Sequence, residues 1–448
     1  MNLYLDLETT IRCPVGNNQA NPMWPGNYIV MAGWAIDDGD VQTRYTNEPL
    51  AHYPLALFEY CSEADLVIGH NIKFDLLYMY RHQTAPLPRI WCTQLAEYLL
   101  TGQRSLYPSL DALTVEYVGA EAVKNDTIKA YWKAGIDTTE IPREELEPYL
   151  IGDVQNTRSI FKEQWRQAEA LDILPLMFTQ MDALRATIEM NRNGMLVDWD
   201  YVEKQRSIYG AKLTSQRTHA ALLVPELDTA SPKQLSLHFF GGVKKYKEKE
   251  LVGKYKNGND KYKVVDKSEV VKGLYAPIGE VGKSGYYSVD DKVLATLADK
   301  EGDELAKTLL EIRENTKIKE TYYDGLAALR FPSDNIYPNL NHCSTKTGRL
   351  SATNPNMQNQ TDTGDIKRAY VSRYGSAGSI LELDYSQLEM VALAYLAEDQ
   401  QLIDDINNGR DMHRELYKGM YGRYPTDAER KPFKRFSFLL VYGGGATP

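Results

Sequence analysis

Four acids and a tyrosine in the first third of the chain have the types and spacing to hold divalent cations. In LYLDLETT, Leu5 and Leu7 alternate with Asp6 and Glu8, so an extended strand puts both carboxylates on one face. At i and i+2 they are close enough to share an ion, and carboxylate oxygen is the ligand that Mg²⁺ takes. Asp75 follows in LVIGHNIKFDLLYMY, where an apolar strand runs through a polar turn into a helix. Tyr149 and Asp153 stand at i and i+4 in EPYLIGDVQN, on one helix face. Each feature alone also has an ordinary reading: a half-exposed edge strand, an acid that complements a helix dipole, a surface contact. A second set lies in RKPFKRFSFLLVYGGGATP, where Arg430, Lys434, Phe438 and Tyr442 recur every four residues. On a helix they form one drifting stripe, cations near one end and aromatics near the other. A basic first turn opposes the helix dipole, which favours a functional reading of the stripe.

The elements that must position these residues fall into three stretches. Residues 1–172 alternate strand-like runs (NLYLDLE, YIVMAGWAID, ADLVIGH) with helical ones, the pattern of an α/β sheet covered by helices. Residues 173–330 are mostly helical, and an insertion at 243–286 interrupts them. That insertion holds ten lysines from Lys244 to Lys272, interleaved with Tyr246, Tyr255 and Tyr262, and its KNGND and VGKSG turns predict β-hairpins. From 331 come short strands and then helices; LELDYSQLEMVALAYLAED reads as a strand ending at Asp384 followed by a helix.

The totals fit a soluble, multi-domain protein. Its 448 residues exceed one ordinary core, and 43% hydrophobic with 25% charged residues is a globular balance. No run approaches 18 apolar residues, so no membrane partner is expected, and MNLYLDLETT goes straight into a strand instead of a signal sequence. Cys13, Cys61, Cys92 and Cys343 show no paired metal-ligand spacing, as expected of reduced thiols in a cytoplasm. A net charge of −10 argues only mildly against a polyanionic partner, because binding depends on local patches.

D-x-E in a first strand, N-x-x-x-D as NIKFD and Y-x-x-x-D in a later helix together resemble the three motifs of DEDD-type 3'–5' exonucleases. The resemblance implies an RNase H-like fold over 1–172 and two Mg²⁺ (or Mn²⁺) ions per active site. It gives Asp6 the bridge between the metals, Glu8 and Tyr149 the attacking water, and Asp75 and Asp153 the rest of the shell. LRATIEMNRNGMLVD, SPKQL and above all TKTGRLSATNPNMQNQ resemble the polymerase domain of family A DNA polymerases, a family that includes phage replicative enzymes. There Arg349, Asn356, Gln358 and Asn359, with Lys317 and Thr321, are implied to contact DNA.

LDYSQLEM is similar to that family's first palm motif, which implies that Asp384 and the Tyr385 carbonyl hold catalytic metal and that Glu389 excludes a ribose 2'-hydroxyl. The stripe resembles the family's fingers helix. Arg430 and Lys434 are then implied to hold a triphosphate, Phe438 to stack on base and sugar, and Tyr442 to border the templating position, with Gln387 and His413 also on the nucleotide. Met390 stands where the family has Arg, and Leu439 where it commonly has Gly.

The fold expected is thus an α/β RNase H-like exonuclease domain (1–172), a mostly helical thumb (173–330) and a partial α+β palm with the start of the fingers (331–448), a truncated right-hand polymerase. No His-Asp dipeptide occurs, so the family's second palm carboxylate is not encoded, and a second polypeptide completing palm and fingers is expected, from a split gene or a longer chain. The direct start in the exonuclease motifs points to a phage origin and a host-cell cytoplasm. Expected partners are primer–template DNA, single-stranded 3' ends and dNTPs. The 243–286 insertion either tracks DNA, accommodates a processivity factor, or forms solvated hairpins whose lysines block edge pairing. DNA replication with proofreading is the expected role. Its rivals are an exonuclease that uses a polymerase remnant to hold DNA, and a non-catalytic assembly subunit.

Overall fold

The computed structural model describes residues 1–443 apart from 47–54, 84, 120–126, 256 and 362, so the last five residues of the glycine-ended stripe lie outside it. By its internal contacts the chain divides into two units, Met1–Ser376 and Ala377–Pro448.

The first unit opens with a five-stranded sheet. β1 (Asn2–Thr9), β2 (Ile29–Ile36), β3 (Gln42–Tyr45), β4 (Leu66–Gly69) and β5 (Ile90–Cys92) lie in the order β3-β2-β1-β4-β5. β1 runs antiparallel to β2 and parallel to β4, and β4 is parallel to β5. Parallel neighbours need a crossover, and the helix Lys73–Tyr80 makes the one from β4 to β5. β1 is therefore central, which overturns the edge-strand reading of Asp6 and Glu8. Its Leu3 and Leu5 are fully buried on one face, and on the other Tyr4 and Glu8 are buried as well. The second face is covered by the 28-residue helix Arg143–Ala170, whose Phe161 meets Tyr4 edge-on at 5.9 Å.

That helix reaches the sheet because β2 offers it a glycine. Gly33 pairs with Asp6 across the ladder, and a Cβ there would stand 2.8 Å from Leu150 Cγ. One missing side chain thus sets the height of the helix above the acid-bearing face. A second anchor is aromatic: Trp91 of β5 packs with Phe161, Trp165 and Phe178. All four cysteines are buried and unbridged.

Long helices follow at Leu174–Asn193, Trp199–Leu223, Asp291–Lys300 and Glu304–Thr316, as the helical pattern predicts. Asp198, Ser231, Asp290 and Asp303 cap helix starts by accepting backbone N–H bonds. The lysine-rich insertion is one long antiparallel ribbon, Gly241–Lys254 with Asp260–Lys272, instead of two hairpins. Its turn falls on the Asn-Gly-Asn signal at 257–259, where Tyr255 N–H donates to Asn259 O at 2.7 Å. Among the described residues the VGKSG turn makes only an isolated bridge, Val281 with Tyr287. Among the described residues no helix is long and apolar enough to cross a membrane.

The second unit carries helices Leu388–Ala397, Gln400–Asn407, Met412–Tyr421 and Asp427–Val441. The predicted strand ending at Asp384 is absent: 381–385 has no regular structure, and Leu381 and Leu383 are 79% and 83% exposed. A strand is stable only when a neighbour accepts its ladder hydrogen bonds, and no described residue pairs with this segment.

Candidate active site

The sheet and the long helix bring three of the predicted acids together. Carboxylate oxygens of Asp6, Glu8 and Asp153 all lie within 4.8 Å of one another. Glu8 and Asp153 are 6% exposed, so the cluster sits in a poorly solvated place where like charges repel strongly. Such a group is stable with protons or a cation between its members. The all-oxygen donor set fits a hard divalent ion.

Asp75 is fully buried beside them in sequence logic but is not one of the three. It lies in the first turn of the helix after β4 and accepts the Leu7 N–H of β1, and burial raises its carboxyl well above the usual range. Its Oδ1 is buried without a hydrogen-bond partner, an acceptor whose cost a cation would offset. Tyr149 precedes Asp153 by one helical turn and packs edge-on against Trp132 at 5.8 Å.

Sequence reasoning missed the residue in the middle of NIKFD. Lys73 is 9% exposed, and its ammonium donates to Leu340 O at 2.6 Å and lies 3.5 Å from Asn339 Oδ1, with no carboxylate among these partners. It clamps the sheet-bearing part to the short strand Asn339–Asn341, and Tyr98 does the same at the loop that follows, its hydroxyl donating to Thr345 O at 2.6 Å. Burial pushes the Lys73 amine down to about 7, and beside it His342 falls to about 4 through burial and the nearby lysine. The unfolded chain therefore holds a proton on residue 73 between pH 7 and about 10 that the folded chain does not, so this group adds stability as pH rises across that window. Lys73→Met should lack that contribution. In urea titrations at pH 7 and pH 9.5, the stability of the parent relative to the variant should rise with pH; a constant difference would contradict the buried neutral amine.

The second constellation lies wholly within the second unit. Phe438 meets His413 edge-on at 5.2 Å, Lys434 lies over the Phe438 ring at 5.7 Å, and the Tyr442 hydroxyl donates to Glu389 at 3.3 Å. Gln387 joins them by accepting the Met412 N–H at 3.1 Å. His413 is buried, its Nδ1 lacks a partner, and burial lowers its pKa. Arg430 Nε donates to Asp411 at 2.6 Å, a partner not foreseen; Asp411 also caps the helix carrying His413.

The dipole argument fails here. The stripe helix begins at Asp427, so its first turn holds Asp427 and Glu429 and the cations come later. Thr426 and Glu429 form a reciprocal capping box, legible as T-x-x-E in the sequence. Pro432 is the sixth helical residue, beyond the first turn.

The remaining predicted residues are exposed. Lys317 and Thr321 ride on the π-helical turn Lys317–Asp324, and Arg349, Asn356, Gln358 and Asn359 line the loop at 345–360. There Asn356 accepts the Gln358 N–H at 3.1 Å, and Gln358 donates to Leu350 O at 2.9 Å. Asp384 and Tyr385 are exposed in the irregular segment before Leu388.

Residues 55–169 match the family described as 3'-5' exonuclease, and residues 268–448 match DNA polymerase family A. The chain thus carries, in that order, a segment that matches a 3'-5' exonuclease family and a segment that matches DNA polymerase family A. It is 27% identical over 394 residues to DNA polymerase I of Pseudomonas aeruginosa, covering 85% of this chain and 39% of that protein. The Helicobacter pylori DNA polymerase I is 25% identical, again over 85% of this chain and 38% of its own. The thermostable DNA polymerase I of Thermus thermophilus is 37% identical over 38% of this chain and 21% of its length. The chain thus spans under two-fifths of these relatives. Its fold is similar to the POL domain of Pol1 from M. smegmatis, solved with DNA primer-template and dNTP, with TM-score 0.71 and 22% identity over 99% of this chain and 68% of that one.

Proposed function

We propose that this chain shortens DNA from its 3' end by metal-dependent hydrolysis and takes part in template-directed DNA synthesis, as the proofreading and nucleotide-gripping portion of a replicative polymerase. The observation that carries this reading is the meeting of Asp6, Glu8 and Asp153 within 4.8 Å on a central strand and its covering helix. Two divalent ions bound there would activate water and stabilise the departing 3'-oxygen. Asp6, Glu8 and Asp153 supply oxygen ligands, and Asp75 offers a further buried one. The Tyr149 hydroxyl, one turn from Asp153, orients the water. The surrounding burial keeps the carboxylates strongly attractive to cations.

At the second constellation, Arg430 and Lys434 hold the triphosphate, where charge builds on the leaving pyrophosphate. Phe438 takes the base, and Glu389, held by Tyr442, faces the sugar. Arg349, Asn356, Gln358 and Asn359, with Lys317 and Thr321, meet the minor groove of primer–template, whose acceptors look alike for every base pair. Asp384 and the Tyr385 carbonyl serve nucleotidyl transfer. Among the described residues Asp384 belongs to no group of three or more side chains placed to share a metal ion. Two-metal nucleotidyl transfer at Asp384 would draw on a further carboxylate beside it.

The test is polarity. With Mg²⁺, a single-stranded oligonucleotide labelled at its 5' end should give a descending ladder, while a 3' label should leave at once as mononucleotide. EDTA should stop both. Release of the 5' label first, or no shortening in Mg²⁺ or Mn²⁺, would refute the reading.

A further inference from the structure

The lysine-rich ribbon has two chemically different faces, which the linear sequence conceals. Side chains alternate across a strand, so the register of Gly241–Lys254 on Asp260–Lys272 assigns each residue to a face. One face carries all three glutamates, Glu248, Glu250 and Glu269, and they are engaged. Lys244 pairs with Glu269 at 2.9 Å, and Lys267 pairs with Glu248 at 2.6 Å and Glu250 at 2.8 Å. That face has largely neutralised itself.

The other face carries Lys245, Lys247 and Lys249 in a row along one strand, all exposed. They stand opposite Ser268, Asp266 and Val264, so one acid faces three cations. Tyr262, 52% exposed, stands near the tip of the same face. The ribbon leaves its helical base through a tight glycine crossing: a Cβ on Gly273 would stand 2.2 Å from Phe240 C, and one on Gly241 2.5 Å from Gly273 N. From that root a strand of 14 residues extends over roughly 45 Å at the ordinary rise.

We propose that the Lys245–Lys247–Lys249 face is a docking surface for a nucleic-acid phosphate backbone, and that the opposite face takes no part. Successive lysines on one face are about 7 Å apart. That spacing is commensurate with the phosphates of a DNA backbone, whose rise along the helix axis is ~3.4 Å per strand, so the row can engage phosphates of a strand running beside it. Tyr262 adds a ring on which an unpaired base can stack. The glutamate face offers no such field, because its three glutamates balance Lys244, Lys263 and Lys267 in number. Val243, Val264 and Val270 on the lysine face give a protein partner something to grip, and the experiment separates that case.

This inference rests on the reading of the chain as a DNA enzyme. Two triple variants of the full chain carry equal charge loss: Lys245→Ser/Lys247→Ser/Lys249→Ser on one face, and Lys244→Ser/Lys263→Ser/Lys267→Ser on the other. Affinity for a labelled single-stranded oligonucleotide and for a primer–template duplex is measured from low to moderate salt, beside 3'-end shortening by the parent. The first variant should lower the log–log salt slope on the duplex by roughly 2 to 3, about 0.9 per lost phosphate contact, and the second should leave it near the parent's. Equal losses in both variants would make the effect one of net charge and overturn the assignment. No change in either, with the parent still shortening 3' ends, would overturn it as well and leave a protein as the partner of that face. A parent that neither binds nor shortens DNA would remove the reading beneath it.

Discussion

Replacing Asp6 and Glu8 together by alanine should lower 3'-end shortening by roughly four orders of magnitude while the chain stays folded. Groups that act as a unit lose most of their joint effect when any part is removed, so the double variant should be little worse than either single one. Folding should survive, because truncating clustered carboxylates relieves their mutual repulsion. The expected pattern is a normal denaturation curve with residual hydrolysis near background. Binding through the Lys245 face or the loop at 345–360 should persist, since neither touches the acids. Shortening at the parental rate would mean that other residues perform it.

Gly33→Val should damage the same activity without touching a ligand. The added side chain begins 2.8 Å from Leu150, in a contact made of helix and strand with nowhere to retreat. Overpacking of this kind costs about 1–3 kcal/mol of stability. The larger effect is geometric: the helix carrying Tyr149 and Asp153 must rise from the strand carrying Asp6 and Glu8. A displacement near 1 Å at such a site commonly costs about a hundredfold in rate. Gly33→Val should therefore lose far more activity than stability, and Leu150→Ala combined with it should recover part of the rate by vacating the space. Equal rates in parent and Gly33→Val would show that the helix height is not set there.

Much of this site was legible because its chemistry is local. Asp6 and Glu8 alternate with leucines, and Tyr149 and Asp153 are one turn apart, so element type alone places each pair. What periodicity does not reveal is which strand is central. β1 has buried residues on both faces because a distant helix covers the acids, and that depends on Gly33, whose role is visible only once Leu150 lies over it. Lys73 hides for the same reason: its partners at 339 and 340 are more than 260 residues away.

At the stripe, Arg430, Lys434 and Phe438 lie on one helix as their spacing predicts, but the helix ends at Val441, before Tyr442, and its start was misjudged although T-x-x-E announced it. The strand before Asp384 followed from apolar alternation in LELDY, but alternation states only that a strand fits, and pairing needs a neighbour. The turn at 257–259 was readable from Asn-Gly, whereas the division of the ribbon into a neutralised and a cationic face needed the register.

The central claim is that Asp6, Glu8 and Asp153 form one divalent-cation site, and calorimetric titration of Mn²⁺ into the chain tests it most directly. Asp6→Ala/Glu8→Ala and Asp384→Ala are titrated beside the parent. The parent and Asp384→Ala should share the same tightest binding step, and the double variant should lose it, with affinity at least tenfold weaker. An unchanged isotherm for Asp6→Ala/Glu8→Ala would contradict the claim.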